Sequence, residues 1–212
     1  APALQRAVDA AQLQGRSLFI PAGIYGVATP VVVRCTGGDD LVYSDPGRRR
    51  AQSAIVLCSG MEDGSGRVFH PLRISGEGME STVLIATASM QAVLELGVGG
   101  LPEPSPYYTG GSLPNVTSKL HIEQLHLHAN KLAQFGVHSA GIIQSRFSYL
   151  AATHALNTGI KLVDGFIIQV QDCTLAHNKV AGLHVNSNAN AVEVRSLYLF
   201  WLLSCRLQLS SC

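Results

Sequence analysis

The sequence predicts an all-β solenoid, a parallel β-helix with a helix capping its first coil. Three observations predict it. Gly136, Gly159 and Gly182 are separated by 23 residues each, and Val137, Ile160 and Leu183 follow them at the same step. Leu120, Ile143 and Phe166, and Leu127, Leu150 and Cys173, extend that period over 120–188. A fixed step with apolar residues in matching columns marks stacked supersecondary units. Second, each unit reads as a short apolar strand, a polar turn, then Gly and an alternating strand. The LxxLxLxxN pattern of leucine-rich repeats is absent, so a β-helix growing by about 4.8 Å per coil fits better. Third, an amphipathic segment precedes the first strand, where a cap belongs.

Taken in order, Pro2 to Gly15 forms the helix. Leu4, Ala7, Val8, Ala11 and the more peripheral Leu13 share one side, Pro2 suits a first turn and Gly15 a stop. Ser17–Ile20, Tyr25–Val27 and Pro30–Val33 read as strands, with Pro21-Ala22-Gly23 ending the first. Residues 36–71 interrupt the pattern with Gly37-Gly38-Asp39-Asp40 and Asp45-Pro46-Gly47 before the Arg48–Arg50 triplet; Ala54–Leu57 is a candidate strand between loops. Residues 97–119 form a second, Gly- and Pro-rich insertion carrying Tyr107 and Tyr108. The regular coils occupy 120–188. Beyond Asn190 the columns fade: Ala191–Val194 reads as one more strand, and the apolar run Leu197–Leu203 covers the lower coil, marks the cut edge of a longer protein, or is a non-native end from a gene model. The whole is expected to be a single domain, 1–212, of about seven to nine coils.

The segments ALQRAVDAAQLQG, LFIPAGIYGV and LRISGEGMESTVLI, with Gly76-Glu77-Gly78 inside the last, resemble the start of pectate-lyase-like right-handed β-helix proteins. The resemblance covers roughly 1–34, 72–96 and the coils from 120 to 188. It implies a right-handed winding, a helix on the first coil and a Pro-x-Gly-x-Tyr turn after the first strand. It also implies a carbohydrate-active protein acting on an acidic, uronic-acid-containing polysaccharide, as a lyase or a hydrolase, with calcium as a cofactor by resemblance alone. The alternatives are a non-catalytic glycan-binding or tailspike-like structural β-helix, or an inactive fragment.

Alternation along the strands places the candidate site. With Val137, Ile160 and Leu183 inward, Ser139, Leu162 and Val185 face the core too, and His138, Lys161 and His184 form an outward column. Asn157, Asp164 and Asn186 lie at the bounding turns. Glu123, Arg146 and Gln169 form a second outward column, and His126, Tyr149 and Asp172 a third. Asn157-Thr158-Gly159-Ile160-Lys161-Leu162 is similar to the groove strand of the superfamily; polygalacturonases carry Asp directly before that Gly, where this chain has Thr158. The paired carboxylates of hydrolysis are not visible. A lyase needs a cation to neutralise the uronate and a base to take the adjacent proton, which Lys161, His138 and His184 supply by type. These three are the expected catalytic residues; Glu123, Arg146, Asn157, Asp164 and Asn186 are the expected substrate contacts.

A net charge of +1 provides no global field for nucleic acid, and no apolar run reaches the ~18 residues of a membrane span. None of the five cysteines lies in a CxxC pair. Cys173 reads as a buried apolar residue, and Cys35 and Cys58 as a pair if the compartment is oxidising. Asn115-Val116-Thr117 is a glycosylation sequon in the second insertion. With the polysaccharide reading, it suggests an extracellular or secreted protein.

Overall fold

The computed structural model describes residues 2–33, 56–57, 72–97, 115–163, 165–186, 189–200 and 207–209. The arginine triplet, Tyr107, Tyr108, Asp164, Leu202, Leu203, and Cys35, Cys58, Cys205 and Cys212 lie outside the described residues.

Helix α1 (Pro2–Gln14) is followed by β1 (Leu18–Ile20), β2 (Gly23–Val27), β3 (Val31–Val33), β4 (Val56–Leu57), β5 (Arg73–Gly76), β6 (Thr82–Ala86), β7 (Met90–Gly97) and β8 (Asn115–Ser118). The regular coils supply β9 (His121–His128), β10 (Ala133–Ala140), β11 (Ile142–Thr153), β12 (Thr158–Val163), β13 (Phe166–Gln171), β14 (Thr174–Ala176) and β15 (Ala181–Val185). Beyond them come β16 (Asn190–Arg195), β17 (Tyr198–Phe200) and β18 (Leu207–Leu209). The chain alternates between two sheets, and each strand pairs in parallel with its equivalent one coil away. The short sheet runs β18-β15-β12-β10-β7-β3; the long sheet runs β1-β5-β9-β11-β13-β16, with β2, β6, β14 and β17 among its flanking strands. This is the expected parallel β-helix. The sequon's backbone is not in a loop: Asn115 belongs to β8 and pairs with Val56.

Helix α1 packs where it was expected, against the outer strands β1 and β3. Val8 and Ala11 are buried in the common core. Gly15, at φ 63°, ends the helix, and Arg16 N–H closes on Ala11 O at 3.0 Å. The Gln5 side chain accepts from Val32 N–H and donates to Val32 O, each at 2.8 Å. One carboxamide thus takes the place of a neighbouring strand at the edge of β3. The Pro-x-Gly-x-Tyr turn is closed by Tyr25 OH donating to Pro21 O at 3.0 Å, and Glu77 accepts from Ala22 N–H at 3.0 Å. The two motifs that carry the family resemblance therefore touch each other.

The glycine column has a packing cause. A Cβ at Gly136 would lie 2.8 Å from Gly159 O and 2.9 Å from Ala152 Cβ, and one at Gly159 would lie 2.6 Å from Asn178 Nδ2 and 2.8 Å from Gly182 O. Each coil presses its backbone on the next at this point, leaving no room for a side chain. Val137, Ile160 and Leu183 follow directly and are fully buried.

The columns before the turn differ from the 23-residue expectation. Leu125, not Leu127, pairs with Leu150; Leu127 pairs with Ala152; and Ile143 pairs with Ser118 and Phe166. His128 aligns with Thr153 while Phe135 aligns with Thr158, so the turn between β9 and β10 holds two extra residues. That turn carries two consecutive left-handed residues, Asn130 and Lys131 at φ 54° and 55°, where later coils use one, His154 at 59° and His177 at 58°. Two further corners repeat the left-handed conformation. Gln124, Tyr149, Asp172 and Ser196 mark one, and Lys119, Gln144, Ile167 and Ala191 the other. Such positions cost about 1–2 kcal/mol per non-Gly residue, which the stacked ladders must offset.

Candidate functional site

On the outer face of the short sheet, His138, Lys161 and His184 stand in register as expected. The column continues through Glu95, which pairs with His138, and through Gln208, which pairs with His184. Period counting misses Glu95 because the second insertion separates it from His138 by 43 residues rather than 23. A more direct signal was the strand alternation around Glu95 in Val93-Leu94-Glu95-Leu96.

The expectation that His138 faces water is overturned: it is only 3% exposed. The Phe135 ring stacks on the imidazole with centroids 5.2 Å apart, and Gln91 Nε2 lies 3.3 Å from Nδ1. Glu95 beside it is also buried, at 5%. His138 is therefore a packed member of the column, not a group open to a polymer. Phe135 was not anticipated because it precedes the glycine of the column, where the other coils have Thr158 and Ala181. Its ring also lies under Lys161, with Nζ 5.2 Å from the centroid. Lys161 and His184 remain half-buried, with one side toward solvent.

Asn157 is a turn residue. Its carbonyl accepts from Val180 N–H at 2.8 Å, and its Oδ1 accepts the Thr158 hydroxyl at 3.0 Å. Asn186 lies just beyond β15, its N–H bonded to Leu162 O at 2.9 Å. Asn130 and Asn178 likewise serve backbone groups, Asn130 donating to Ala86 O at 3.0 Å and Asn178 to Ala152 O at 2.9 Å.

The second expected column is not assembled as Glu123, Arg146, Gln169. On the outer face of the long sheet, Arg146 pairs with His121 and Gln169, whereas Glu123 pairs with Ser75 and Ser148. The two extra residues of the first coil cause the shift. Two parallel polar columns result: Arg73, His121, Arg146, Gln169 and Glu193, and beside them Ser75, Glu123, Ser148, Gln171 and Arg195. Glu123 is held by Arg73, whose Nε donates to Oε1 at 2.7 Å and whose Nη2 reaches the same oxygen. His121 Nε2 lies 3.2 Å from Glu123 Oε2 and 3.2 Å from Ser148 Oγ. Burial pushes the His121 imidazole below its usual pKa; Arg73 and Arg146 add to the shift and Glu123 opposes it. Further along, Arg146 Nη2 donates to Gln171 Oε1 at 2.9 Å, Gln169 donates to Glu193 at 2.9 Å, and Arg195 Nε donates to Glu193 at 2.6 Å.

The third column is displaced as well: His126 aligns with Ala151, not with Tyr149. His126 instead begins a histidine cluster at the corner of the coil. Ring centroids are 5.5 Å apart for His126–His128, 4.5 Å for His128–His154 and 4.9 Å for His154–His177. Burial, with the neighbouring rings, pushes His126 down to about 4. Cys173 is buried as expected, and burial raises its thiol to about 11, which leaves it inert. Among the described residues no group of three His, Cys, Asp or Glu side chains is placed to hold a metal ion. No helix of the described residues is long and apolar enough to cross a membrane.

Fold and face together define a parallel β-helix whose two sheets each present a polar column array. Among solved structures, the chain is similar to ORF18 of Geobacillus virus E2, at a TM-score of 0.61 and 15% identity. That match covers 94% of this chain and 33% of the viral protein, so the chain spans about a third of its length. At this identity the likeness speaks for the fold alone. A looser match, to the A-module of the Azotobacter vinelandii mannuronan C-5 epimerase AlgE4, has a TM-score of 0.31 at 13% identity, covering 92% of this chain and 72% of that one. It is too loose to carry an argument. No family model matches the chain, and no curated protein matches it in sequence. The pectate-lyase-like likeness thus remains one of sequence motifs, while the parallel-stranded fold is present.

Proposed function

We propose that the protein holds an acidic, uronic-acid-containing polysaccharide against the outer face of the short sheet, in an extracellular setting. The observation that carries the reading is Lys161, half-buried over the Phe135 ring and in register with His184 one coil away. A partly desolvated ammonium on a flat parallel face attracts carboxylates more strongly than one free in water. Successive coils at about 4.8 Å offer a polymer repeated contacts along the axis. The uronate carboxylate meets Lys161, and His184 is the neighbour able to accept the proton that carboxylate neutralisation acidifies. His138, packed under Phe135, supports the column from below and does not touch the polymer.

The test measures binding and turnover of polygalacturonate, alginate and a neutral glucan by wild type and Lys161→Ala. Preference for a uronan, weakened by salt and reduced in Lys161→Ala, supports the reading. Unsaturated product from wild type, lost in Lys161→Ala, extends it to lyase chemistry; binding without product makes the protein a glycan-binding β-helix. Equal binding of the glucan, or a Lys161→Ala protein that behaves as wild type, refutes it.

A further inference from the structure

The outer face of the long sheet contains a cleft of about 260 Å³ lined by Arg146, Gln169, Val170, Gln171, Glu193 and Arg195. Its charges do not balance. Arg195 is paired with Glu193, and Arg73, two coils from Arg146, with Glu123. Arg146 has no carboxylate partner among the described residues. Its Nη2 donates to the neutral Gln171 carbonyl, and its Nε is buried with no acceptor. Gln171 in turn donates to Asp172 at 2.8 Å, so that acid reaches Arg146 only through an amide. His121, its partner in β9, is disfavoured from carrying charge by burial, which outweighs the opposing pull of Glu123, and by the two arginines. The lining therefore carries two arginines against one glutamate, with the surplus charge on a guanidinium whose fork is incompletely used.

We propose that this cleft is an anion subsite that takes the carboxylate of a single sugar acid on the Arg146 guanidinium. Arginine suits this because its planar fork matches a carboxylate in two parallel hydrogen bonds. The Gln169 and Gln171 amides beside it are hydrogen-bonded to Glu193 and to Arg146 and Asp172, and make the rest of the lining polar. The subsite lies on the other sheet from Lys161 and stands independently of the function proposed for that face.

The experiment follows the Arg146 Nε–H resonance of the full chain in 15N-labelled protein, assigned by its loss in Arg146→Lys. D-galacturonate is titrated against its methyl ester. The acid is expected to shift the resonance saturably and the ester to leave it in place. Calorimetry is expected to show about a tenfold or greater loss of galacturonate affinity in Arg146→Gln, and the shift is expected to persist in Lys161→Ala. An unmoved resonance at millimolar galacturonate, or an equal shift with the ester, overturns the proposal. The wild-type titration decides the matter even where Arg146→Gln fails to fold.

Discussion

The Gln5 carboxamide pairs with Val32 as a strand would, accepting its N–H and donating to its C=O at 2.8 Å each. Parallel ladders leave such backbone groups unpaired at a terminal strand, and an open edge invites pairing with other chains. The capping helix thus closes the first coil by side-chain chemistry as well as by burying Val8 and Ala11. Gln5→Leu retains the helix but removes both hydrogen bonds. It is expected to lower stability by about 1–3 kcal/mol, read as a lower urea midpoint, and to raise light scattering on storage. An unchanged midpoint would show that water replaces the amide without loss.

Gly159 sits where one coil's backbone rests on the next. Gly159→Ala forces a Cβ to within 2.8 Å of Gly182 O, a backbone atom that cannot swing aside. A loss of about 1–3 kcal/mol or more is expected from such overpacking. Gly26→Ala is the control, since Gly26 is exposed and a Cβ there would meet only the exposed Thr87 Cγ2, at 3.1 Å, a side-chain methyl that can give way. Thermal melts in which both variants match wild type would remove the packing account of the glycine column.

Adjacent residues on β12 should respond oppositely. Ile160 is fully buried, so Ile160→Asp puts an unpaired carboxylate in the core and is expected to abolish soluble expression. Lys161→Ala is expected to express and melt close to wild type, because the side chain lies on the outer face and is only partly buried. His138→Ala is expected to fall between, losing the stack on Phe135 and costing about 0.5–1.5 kcal/mol.

The histidine cluster makes stability depend on pH. His126 has a pKa of about 4 in the fold against 6.5 when unperturbed, and His128 and His154 shift the same way by burial. Between those values the unfolded chain binds protons that the folded chain excludes. Stability from this cluster is present above about 6.5 and is lost as pH falls toward 4. Urea midpoints measured from pH 7.5 to 5 are expected to decline, and His126→Phe to flatten the decline. A midpoint constant over that range in wild type would contradict the burial of these rings.

Much of this protein is written locally, and some of it is not. The Gly136–Gly159–Gly182 and Val137–Ile160–Leu183 columns were legible because their spacing survives in the structure, as was the sequence of His138, Lys161 and His184 along the short sheet. The composition of the long-sheet face was not, because two extra residues at Asn130–Lys131 shift Glu123 out of line with Arg146. A count along the chain cannot see where a coil absorbs an insertion; the hydrogen-bonded register decides it. For the same reason Glu95 joined the His138 column unannounced, across a 43-residue gap.

The amino-acid sequence by itself determined the parallel repeat, the capping helix and which side chains of the regular short-sheet strands point out, since these follow from periodicity and alternation within a few residues. Only the tertiary structure decided that His138 is covered, that Gln124, Tyr149, Ile167 and other ordinary residues turn corners in the left-handed region, and that Arg146 keeps a charge its neighbours do not balance. Each of those depends on what the adjacent coil places about 4.8 Å away. The groups on that coil lie 23 to 47 residues off in the chain, beyond the reach of any local preference.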